Sequence, residues 1–283
     1  MQFGVSIFFT EYSISPTELG PALEERGFES LWAAEHSHIP VARRYNVPTG
    51  DLSRQYYDVM DPFVTLAAAA AVTKTLKLAT GVCLVIQRDT IQTAKAVASL
   101  DRISQGRFIF GIGAGWNAEE MEDHGTVYAT RAKKMREQIE AMKEIWRSER
   151  AEYHGEFVNF LPMEARPKPA QRPHPPIIVG GAFAYAARRA LRYGDGIIPQ
   201  AAEAGSGSPE AFMPRFAEMA REAGRDLGAL SVTLGGAPDD LDKLKRWRDL
   251  GVARANVRLP PEKADEIPPL LDRWARLIRQ VGA

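Results

Sequence analysis

The residues best suited to chemistry lie together near position 35, where Glu35-His36-Ser37-His38 ends an apolar run. Histidine titrates close to neutral pH, and a carboxylate beside it can set its tautomer. We therefore expect His36 to donate a proton or a hydrogen bond to a ligand, with Glu35 orienting the imidazole. A His-x-His pair could also chelate a metal, but the last predicted strand carries Asn256 where a barrel metal site of this type uses an aspartate. We predict no metal site.

A glycine pair further along the chain predicts a phosphate site. Gly180 and Gly181 precede a helix that has no acid in its first turns and that carries Arg188 and Arg189. Free backbone N–H groups, the positive end of the helix dipole and the arginines would all attract an anion. A competing glycine pair, in the segment 235–240, is followed by two aspartates that disfavour an anion.

Two other glycine-containing segments suit contact with a flat ligand, because glycine allows a close backbone approach. The segment 113–116 is followed by Glu119 and Glu120, which would repel a phosphate, so a ring or sugar contact is the better prediction there. Gly81 interrupts a strand between Thr80 and Val82, which indicates a bulge or a close approach by a ligand. A purely structural turn or core position is the alternative for each segment.

Apolar runs rich in β-branched and aromatic residues alternate with amphipathic stretches along the chain, the pattern of repeated βα units. The predicted strands are Phe3 to Phe9, Phe28 to Ala34, Leu76 to Ile86, Arg107 to Gly113, Pro176 to Gly181, Gly194 to Pro199, Leu230 to Gly235 and Ala253 to Leu259. Eight such units favour a closed (β/α)8 TIM barrel over an open doubly wound sheet, which has about five or six strands. We predict one domain over residues 1–283.

Two helices are marked by apolar residues at helical spacing. One, over 130–147, should bury Met135, Ile139, Met142 and Trp146; the last should bury Leu270, Trp274, Leu277, Ile278 and Val281. Sequence beyond a minimal barrel lies at His36 to Asp61, Gly115 to Ala129 and Arg150 to Pro175. The first two insertions follow strands 2 and 4, so we expect them at the carboxyl-end face, where barrel active sites are built.

Composition excludes several classes of partner. The 283 residues carry 36 Lys plus Arg and 36 Asp plus Glu, so bulk charge gives no reason to expect nucleic acid or a membrane surface as a partner. The most apolar stretch, 64–86, is broken by two lysines, and the N-terminus lacks the basic start of a signal peptide. The single cysteine, Cys83, permits no internal disulfide and suits a reducing compartment. We therefore expect a cytoplasmic protein.

In combination, four segments resemble the luciferase-like monooxygenase superfamily, specifically the branch that uses the deazaflavin coenzyme F420. The resemblance runs from the first strand to the last helix, and its order and spacing are more specific than any one motif. The segments begin with Trp32-Ala-Ala-Glu-His36 and Ala79-Thr-Gly-Val-Cys83, and continue with 98–116 and with 173–181 leading to Tyr193-Gly-Asp-Gly196.

The resemblance implies a TIM barrel that holds a flavin-like ring at its carboxyl-end mouth, with a cis peptide bond at Gly81-Val82 behind the ring. It implies an oxidoreductase that transfers a hydride between the deazaflavin C5 and a small organic substrate. It also implies a homodimer. The implied catalytic residues are His36 and Glu35, and the implied cofactor-binding residues are Glu35, His36, Thr80, Gly81, Val82, Gly113, Ala114, Gly115, Trp116, Gly180 and Gly181.

The alternatives are an FMN-dependent monooxygenase and a flavin- or deazaflavin-binding protein without turnover. The longer F420 tail should favour basic residues at the rim, for which Arg131, Arg188 and Arg189 are candidates. This chain also departs from the superfamily's glucose-6-phosphate dehydrogenases, because Trp116 replaces their acidic residue and no basic sugar-phosphate clamp is evident. That substrate is therefore not expected.

Overall fold

Parallel strands close into a barrel in the computed structural model, which describes residues 1–41, 52–199 and 208–282. The chain forms strands β1 to β10, of which β5 and β6 form a separate hairpin. The barrel strands are β1 (Gln2–Ile7), β2 (Ser30–Ala33), β3 (Lys77–Thr80), β4 (Phe108–Ile112), β7 (Ile177–Gly181), β8 (Gly196–Pro199), β9 (Ser231–Gly235) and β10 (Arg254–Arg258). The ring closes where Gln2 of β1 pairs with Arg254 of β10. The predicted (β/α)8 barrel is confirmed.

Helices separate successive barrel strands and cover the outside of the barrel. They are α1 (Pro16–Glu25), α2 (Gln55–Asp58), α3 (Pro62–Val72), α4 (Thr90–Ile103), α5 (Ala118–Asp123), α6 (Arg131–Arg147), α7 (Phe183–Tyr193), α8 (Pro209–Glu222), α9 (Leu241–Asp249) and α10 (Ile267–Gly282). The short α2 and α5 lie in the predicted insertions after strands 2 and 4, although part of the first, 42–51, is outside the described residues. No helix in the described ranges is long and apolar enough to cross a membrane.

Side chains alternate between the two faces of each barrel strand, as the period of a strand requires. On β10, Ala255 and Val257 join the apolar layer beneath the helices. A smaller apolar cluster fills the barrel interior and consists of Trp32, Ala79, Ile109 and Ile178. The indole of Trp32 is fully buried, and its Nε1–H donates to Ser30 Oγ at 2.9 Å. A Cβ on Gly111 would lie 2.0 Å from the Thr80 carbonyl oxygen and 3.2 Å from Trp32 Cζ3, so glycine is required here chiefly by the Thr80 backbone and also leaves room for the indole.

The predicted core face of α6 is confirmed, and that of α10 is only partly right. Met135, Ile139, Met142 and Trp146 are all buried, and the Trp146 indole donates to the Ala94 carbonyl at 3.0 Å. On α10, the predicted Leu270, Trp274, Leu277 and Ile278 are half-buried at the edge of the core, whereas Val281 is buried. The buried face also includes Ile267, Leu271 and Ala275, so it is rotated from the prediction. Trp274 is large enough to reach the core from the flank.

The third insertion contains a hairpin that the sequence did not predict. Strands β5 (Ala151–His154) and β6 (Asn159–Met163) pair antiparallel, and their residues alternate too irregularly to give a strand signal. The hairpin lies against α6, where Glu137 accepts the Phe157 N–H at 2.7 Å and the Tyr153 hydroxyl donates to Glu140 at 3.0 Å. It follows α6 rather than a barrel strand, so it does not contribute to the carboxyl-end loops.

A buried ion pair holds the amino-terminal end of the barrel. Arg254 donates to both carboxylate oxygens of Glu29, at 2.6 and 2.7 Å, and to Thr233 Oγ1 at 3.0 Å. Burial alone would raise the pKa of Glu29, but its hydrogen bonds and charge contact with Arg254 lower it to about 2. The ionised carboxylate therefore stabilises the folded protein.

We expect Glu29→Gln to lower the unfolding free energy at neutral pH by about 3 kcal/mol, because Arg254 would keep a buried charge without its counter-ion. The stabilisation by Glu29 is complete above its ordinary pKa of 4.5 and is lost as the pH falls towards 2. Urea unfolding measured from pH 7 to pH 2.5 should show a weaker acid dependence for this variant. Glu25→Gln, at a neighbouring exposed carboxylate, is the control, and equal effects of both changes would contradict the prediction.

Candidate active site

The carboxyl ends of the barrel strands surround a cavity of about 570 Å³. Each of the eight strands, or the residues directly after it, contributes to the wall: Ser6 to Phe8, Trp32 and Ala34, Gly81 and Val82, Gly113 to Trp116, Gly180 and Gly181, Ile198 and Pro199, Gly235, and Asn256 and Arg258. The insertions after strands 2 and 4 add further side chains: Gln55, Tyr56, Tyr128 and Arg131. The predicted face of the barrel therefore holds a concave site that many of the predicted residues line.

Eight of the eleven predicted cofactor-binding residues line this cavity: Gly81, Val82, Gly113, Ala114, Gly115, Trp116, Gly180 and Gly181. The other three, Thr80, Glu35 and His36, are buried outside the lining. The Thr80 hydroxyl donates to the Gly111 carbonyl at 2.6 Å, so its side chain ties two strands together. Glu35 and His36 contact residues of the lining: Glu35 accepts the Leu84 N–H, and His36 lies beside Tyr56 and Trp116.

The peptide bond between Gly81 and Val82 is cis, as the family resemblance implied. The Val82 side chain then lies between two glycine-containing strand ends. A Cβ on Gly113 would lie 2.6 Å from Val82 Cγ2, and one on Gly180 would lie 3.1 Å from Val82 Cγ1. Packing around Val82 therefore requires glycine at position 113, whereas at position 180 a Cβ would be crowded equally by Val82 and by the Ile112 carbonyl oxygen, also at 3.1 Å. The cavity wall at this point consists of backbone and one small apolar side chain.

Glu35 does not orient His36, which corrects the sequence prediction. Its carboxylate accepts the Leu84 backbone N–H at 2.6 Å and the Arg88 Nε–H at 2.5 Å. Burial alone would lower the pKa of Arg88, but the adjacent Glu35 carboxylate outweighs burial and raises it. Arg88 also pairs with Asp61. Glu35 thus fixes the segment that carries Gly81 and Val82 to the loop after β2.

The partner of His36 is Glu120, one of the acids that sequence reasoning treated only as a source of repulsion. Glu120 Oε2 lies 2.8 Å from His36 Nδ1, and Oε1 accepts the Ser37 backbone N–H at 3.0 Å. Burial alone would raise the pKa of Glu120, but these bonds and the charge of His36 lower it. A carboxylate on Nδ1 favours the tautomer in which Nδ1 carries the proton. The structure gives Nε2 no hydrogen bond within its described ranges.

Two aromatic side chains lie between His36 and the cavity. The ring centroids of Tyr56 and Trp116 are 5.4 and 5.6 Å from that of His36, and both residues line the cavity. Tyr56 lies on the short helix α2 and was not predicted, because a Tyr-Tyr pair in a polar insertion gives no periodic signal.

His38, the second histidine of the His-x-His pair, is hydrogen-bonded on the protein surface. His38 Nε2 lies 2.9 Å from Asp123, and the Ser37 hydroxyl lies 2.7 Å from His124 Nε2. Within the part of the chain that the structure describes, no three His, Cys, Asp or Glu side chains form a metal-binding group. Cys83 is fully buried, and burial followed by the Glu35 charge raises the pKa of its thiol.

The predicted phosphate segment combines a glycine of positive φ with an uncapped helix start. Gly181 has φ 126°, and Ala182 precedes α7 without a side-chain cap on the helix N-terminus. A Cβ on Gly181 would lie 4.0 Å from Arg189 Nη1, so the guanidinium faces this turn. Arg189 lines the cavity, whereas Arg188 is exposed on the outer groove beside α8. Of the two predicted arginines, only Arg189 is placed to bind an anion in the cavity.

In the competing segment after β9, both aspartates already have partners within the protein. The Asp240 carboxylate accepts the Lys243 N–H and so caps α9 itself, and Asp239 pairs with Arg273. Helix α5 is likewise capped by Asn117, whose side chain accepts the Glu120 N–H. An anion at either helix would displace a protein acceptor, in agreement with the sequence argument.

Three arginines give the cavity its charge. Arg131, Arg189 and Arg258 line it, and none of them has a carboxylate partner within the described ranges. The Arg131 guanidinium lies 3.6 Å from the centre of the Tyr128 ring and donates to the Tyr128 carbonyl at 2.7 Å. Arg258 was missed by sequence reasoning. Its place near the end of the last predicted strand, Ala253 to Leu259, was the available signal.

The site therefore defines a class: a (β/α)8 barrel whose carboxyl-end cavity offers neutral walls, glycine-containing strand ends and a positively charged rim. This arrangement could hold a flat, phosphorylated ligand. The chain belongs to the luciferase-like monooxygenase family, whose model matches residues 1–238.

Three similar proteins illustrate the range of the family. An uncharacterized protein of Mycobacterium tuberculosis H37Rv is 38% identical over 284 residues, covering 97% of this chain and 98% of that protein. An F420-dependent hydroxymycolic acid dehydrogenase of the same strain is 30% identical over 208 residues, covering 72% of this chain and 53% of that protein. The crystal structure of the monooxygenase RslO1 from Streptomyces bottropensis superposes with a TM-score of 0.79 at 20% identity, covering all of both chains, and shares the fold.

We expect Arg88→Met to lower the unfolding free energy by about 3 kcal/mol, because it leaves the Glu35 carboxylate buried without a counter-ion. Arg88→Met combined with Glu35→Gln should recover most of that loss, since the glutamine oxygen still accepts the Leu84 N–H. Urea unfolding at neutral pH measures both changes. Arg54→Met, which removes a 73% exposed arginine that is also ion-paired, should cost less than about 1 kcal/mol. No recovery in the double variant would contradict the proposed role of the charge.

Proposed function

We propose that this protein is an F420-dependent oxidoreductase that transfers a hydride between C5 of the deazaflavin and a small organic substrate. One observation carries the choice of cofactor: Arg131, Arg189 and Arg258 line the cavity without carboxylate partners within the described residues. F420 bears a phosphate and a longer acidic tail than FMN, so it makes better use of several cations. The 30% identical F420-dependent dehydrogenase supports the same choice.

The residues present fit such a cofactor. A Cβ on Gly113 would collide with Val82, and one on Gly180 would be crowded by Val82 and the Ile112 carbonyl. Because both positions lack a side chain, the wall here is flat and uncharged, which suits a ring. Gly181, the uncapped start of α7 and Arg189 supply donors and positive charge for a phosphate. When bound, the deazaflavin supplies the site that donates or accepts the hydride. The protein binds and orients the ring and excludes water from it.

His36 is the residue that we assign to proton transfer. Glu120 holds its Nδ1, which leaves Nε2 to donate or accept a proton. The aromatic rings of Tyr56 and Trp116 restrict access to the imidazole from the cavity. Glu120 therefore takes the orienting role that the sequence assigned to Glu35, and Glu35 is a positioning residue for the cavity wall.

The second candidate is an FMN-dependent monooxygenase, which the fold similarity to the Streptomyces monooxygenase favours. Both cofactors share a tricyclic ring and a ribityl phosphate, so the same glycines and Arg189 would serve either. A binding protein without turnover would need the same cavity and no proton donor.

Parallel fluorescence titrations of the purified protein with F420 and with FMN test the proposal. We expect micromolar or tighter binding of F420 and weaker binding of FMN. Arg189→Ala should weaken F420 binding about tenfold or more, because it removes a charge-assisted contact, and should have little effect on the phosphate-free deazaflavin chromophore. Arg188→Ala, which removes the adjacent exposed arginine, is the matched control. Preference for FMN would transfer the assignment to the monooxygenase, and binding of neither cofactor would exclude both.

We expect His36→Asn to reduce turnover by about 100-fold with cofactor affinity changed only slightly, because the variant keeps a polar side chain and loses the transferable proton. Turnover is followed as the F420 absorbance change with whichever substrate the wild-type protein accepts. His38→Asn is the control, since His38 pairs with Asp123 and does not line the cavity. Unchanged turnover and affinity in His36→Asn would refute this mechanism.

A further inference from the structure

The strand order of the barrel gives the cavity a second wall, opposite the one that contains the glycines. Around the closed sheet the order is β1, β10, β9, β8, β7, β4, β3 and β2, so β4 lies across the barrel from β10, β3 from β9 and β7 from β1. The flat wall consists of Val82, Gly113 and Gly180, at the ends of β3, β4 and β7. A ring held against that wall would therefore turn its free face towards the ends of β9, β10 and β1.

The cavity-lining residues of this opposite wall differ in charge. Gly235 ends β9, Ser6 lies on β1 and Phe8 follows it, and all three are uncharged. Arg258 ends β10 and lines the cavity as well. It alternates along β10 with the two residues that join the outer apolar layer, so it belongs to the inward-facing set of that strand. The free face of a bound ring would thus meet a guanidinium.

The Arg258 side chain is available to a ligand. It is exposed and lines the cavity, and within the described ranges it has neither a hydrogen bond nor an ion pair with another side chain. The neighbouring Ser6 hydroxyl, by contrast, donates to the Val257 carbonyl at 3.5 Å. A guanidinium presents its N–H donors in a planar fork that matches an anionic group with two oxygens.

The anionic groups of the cofactor have other cations nearer to them. Arg189 faces the Gly181 turn at the end of β7, and Arg131 follows the insertion after β4. These two strands are neighbours in the barrel, whereas β10 is three strands from β7 and four from β4. A phosphate and tail bound on the β4 and β7 side leave Arg258 for a different ligand. The preference for F420 over FMN then depends on Arg131 and Arg189.

A single guanidinium suits a carboxylate better than a phosphate ester. Two carboxylate oxygens can accept two parallel N–H groups, and the charges balance one to one. A phosphate ester carries about −1.5 to −2 at neutral pH, and within the described residues Arg258 has no second cation beside it on this wall. The start of α9, which follows β9, is already capped by Asp240. The rings of Phe8 and Tyr56, with centroids 4.8 Å apart, add apolar surface on the same side.

We propose that the substrate is a small carboxylic acid with an apolar body, and that Arg258 binds its carboxylate on the free face of the cofactor ring. This deepens the proposed function and rests on it, since it assumes that the ring lies against the glycine-containing wall. Arg258 is then a specificity-determining residue that selects acids over their uncharged amides.

Simple probes titrated into the F420-loaded protein test this proposal. Hexanoate and hexanamide are close in size and differ in charge, and isothermal titration calorimetry at neutral pH measures the binding of both. The wild-type protein should bind hexanoate about tenfold or more tightly than hexanamide. Arg258→Met should remove that difference, and Arg258→Lys, which keeps the charge without the planar fork, should retain part of it. Arg188→Met, at an exposed arginine outside the cavity, should bind both probes like the wild type.

A cofactor titration separates this role from cofactor binding. Arg258→Met should change F420 affinity by less than about twofold, because the two sites are independent; a loss of about tenfold or more would assign Arg258 to the cofactor tail and overturn the proposal. Equal binding of hexanoate and hexanamide by the wild type, or a preference for the acid that survives Arg258→Met, would also overturn it. Tighter binding of hexyl phosphate than of hexanoate would do the same in favour of phosphate esters. A wild-type protein that binds neither F420 nor FMN would instead overturn the proposed function, and this inference with it.

Discussion

The closed barrel depends on how its interior is filled, and here one indole does most of the filling. Trp32 is fully buried among small and β-branched neighbours, and Gly111 on β4, two strands away, has no side chain that would crowd the indole. The Arg254 guanidinium lies 5.4 Å from the centre of the indole and is neutralised by Glu29. The middle of the barrel is therefore filled, and the buried charge beside the indole is balanced. Open space is left at the carboxyl ends of the strands, where the ligand site is built.

Two buried carboxylates hold the loops around that site in place. Glu35 bonds to Leu84 and Arg88, which fixes the loop after β2 to the segment after β3. Glu120, on the insertion after β4, holds His36 and the Ser37 backbone. Each carboxylate joins two loops that are far apart in sequence, so the strand ends and the proton-transferring imidazole are positioned by charge-assisted bonds.

The sequence predicted the barrel and the glycine-containing part of the cavity lining, because both follow from patterns within a strand or at its end. Gly113, Gly180 and their neighbours are recognisable as glycines at strand ends, and Arg189 as a cation close to a helix start. The pairing of His36 with Glu120 could not be predicted, since it depends on how two insertions meet in space. The prediction assigned Glu35 to His36 because the two are adjacent in sequence, but adjacent residues at a strand end point in different directions.

The rim of arginines has a consequence for how binding responds to solution conditions. The charged side chains that line the described part of the cavity are all guanidinium groups, which stay protonated throughout the physiological range. Attraction of an anionic ligand should therefore change little with pH near neutrality. It should weaken as ionic strength rises, because the rim is open to solvent and the screening length shortens to about 8 Å at 0.15 M salt. The salt concentration of the solution, more than its pH, therefore determines how strongly the rim arginines attract an anionic ligand.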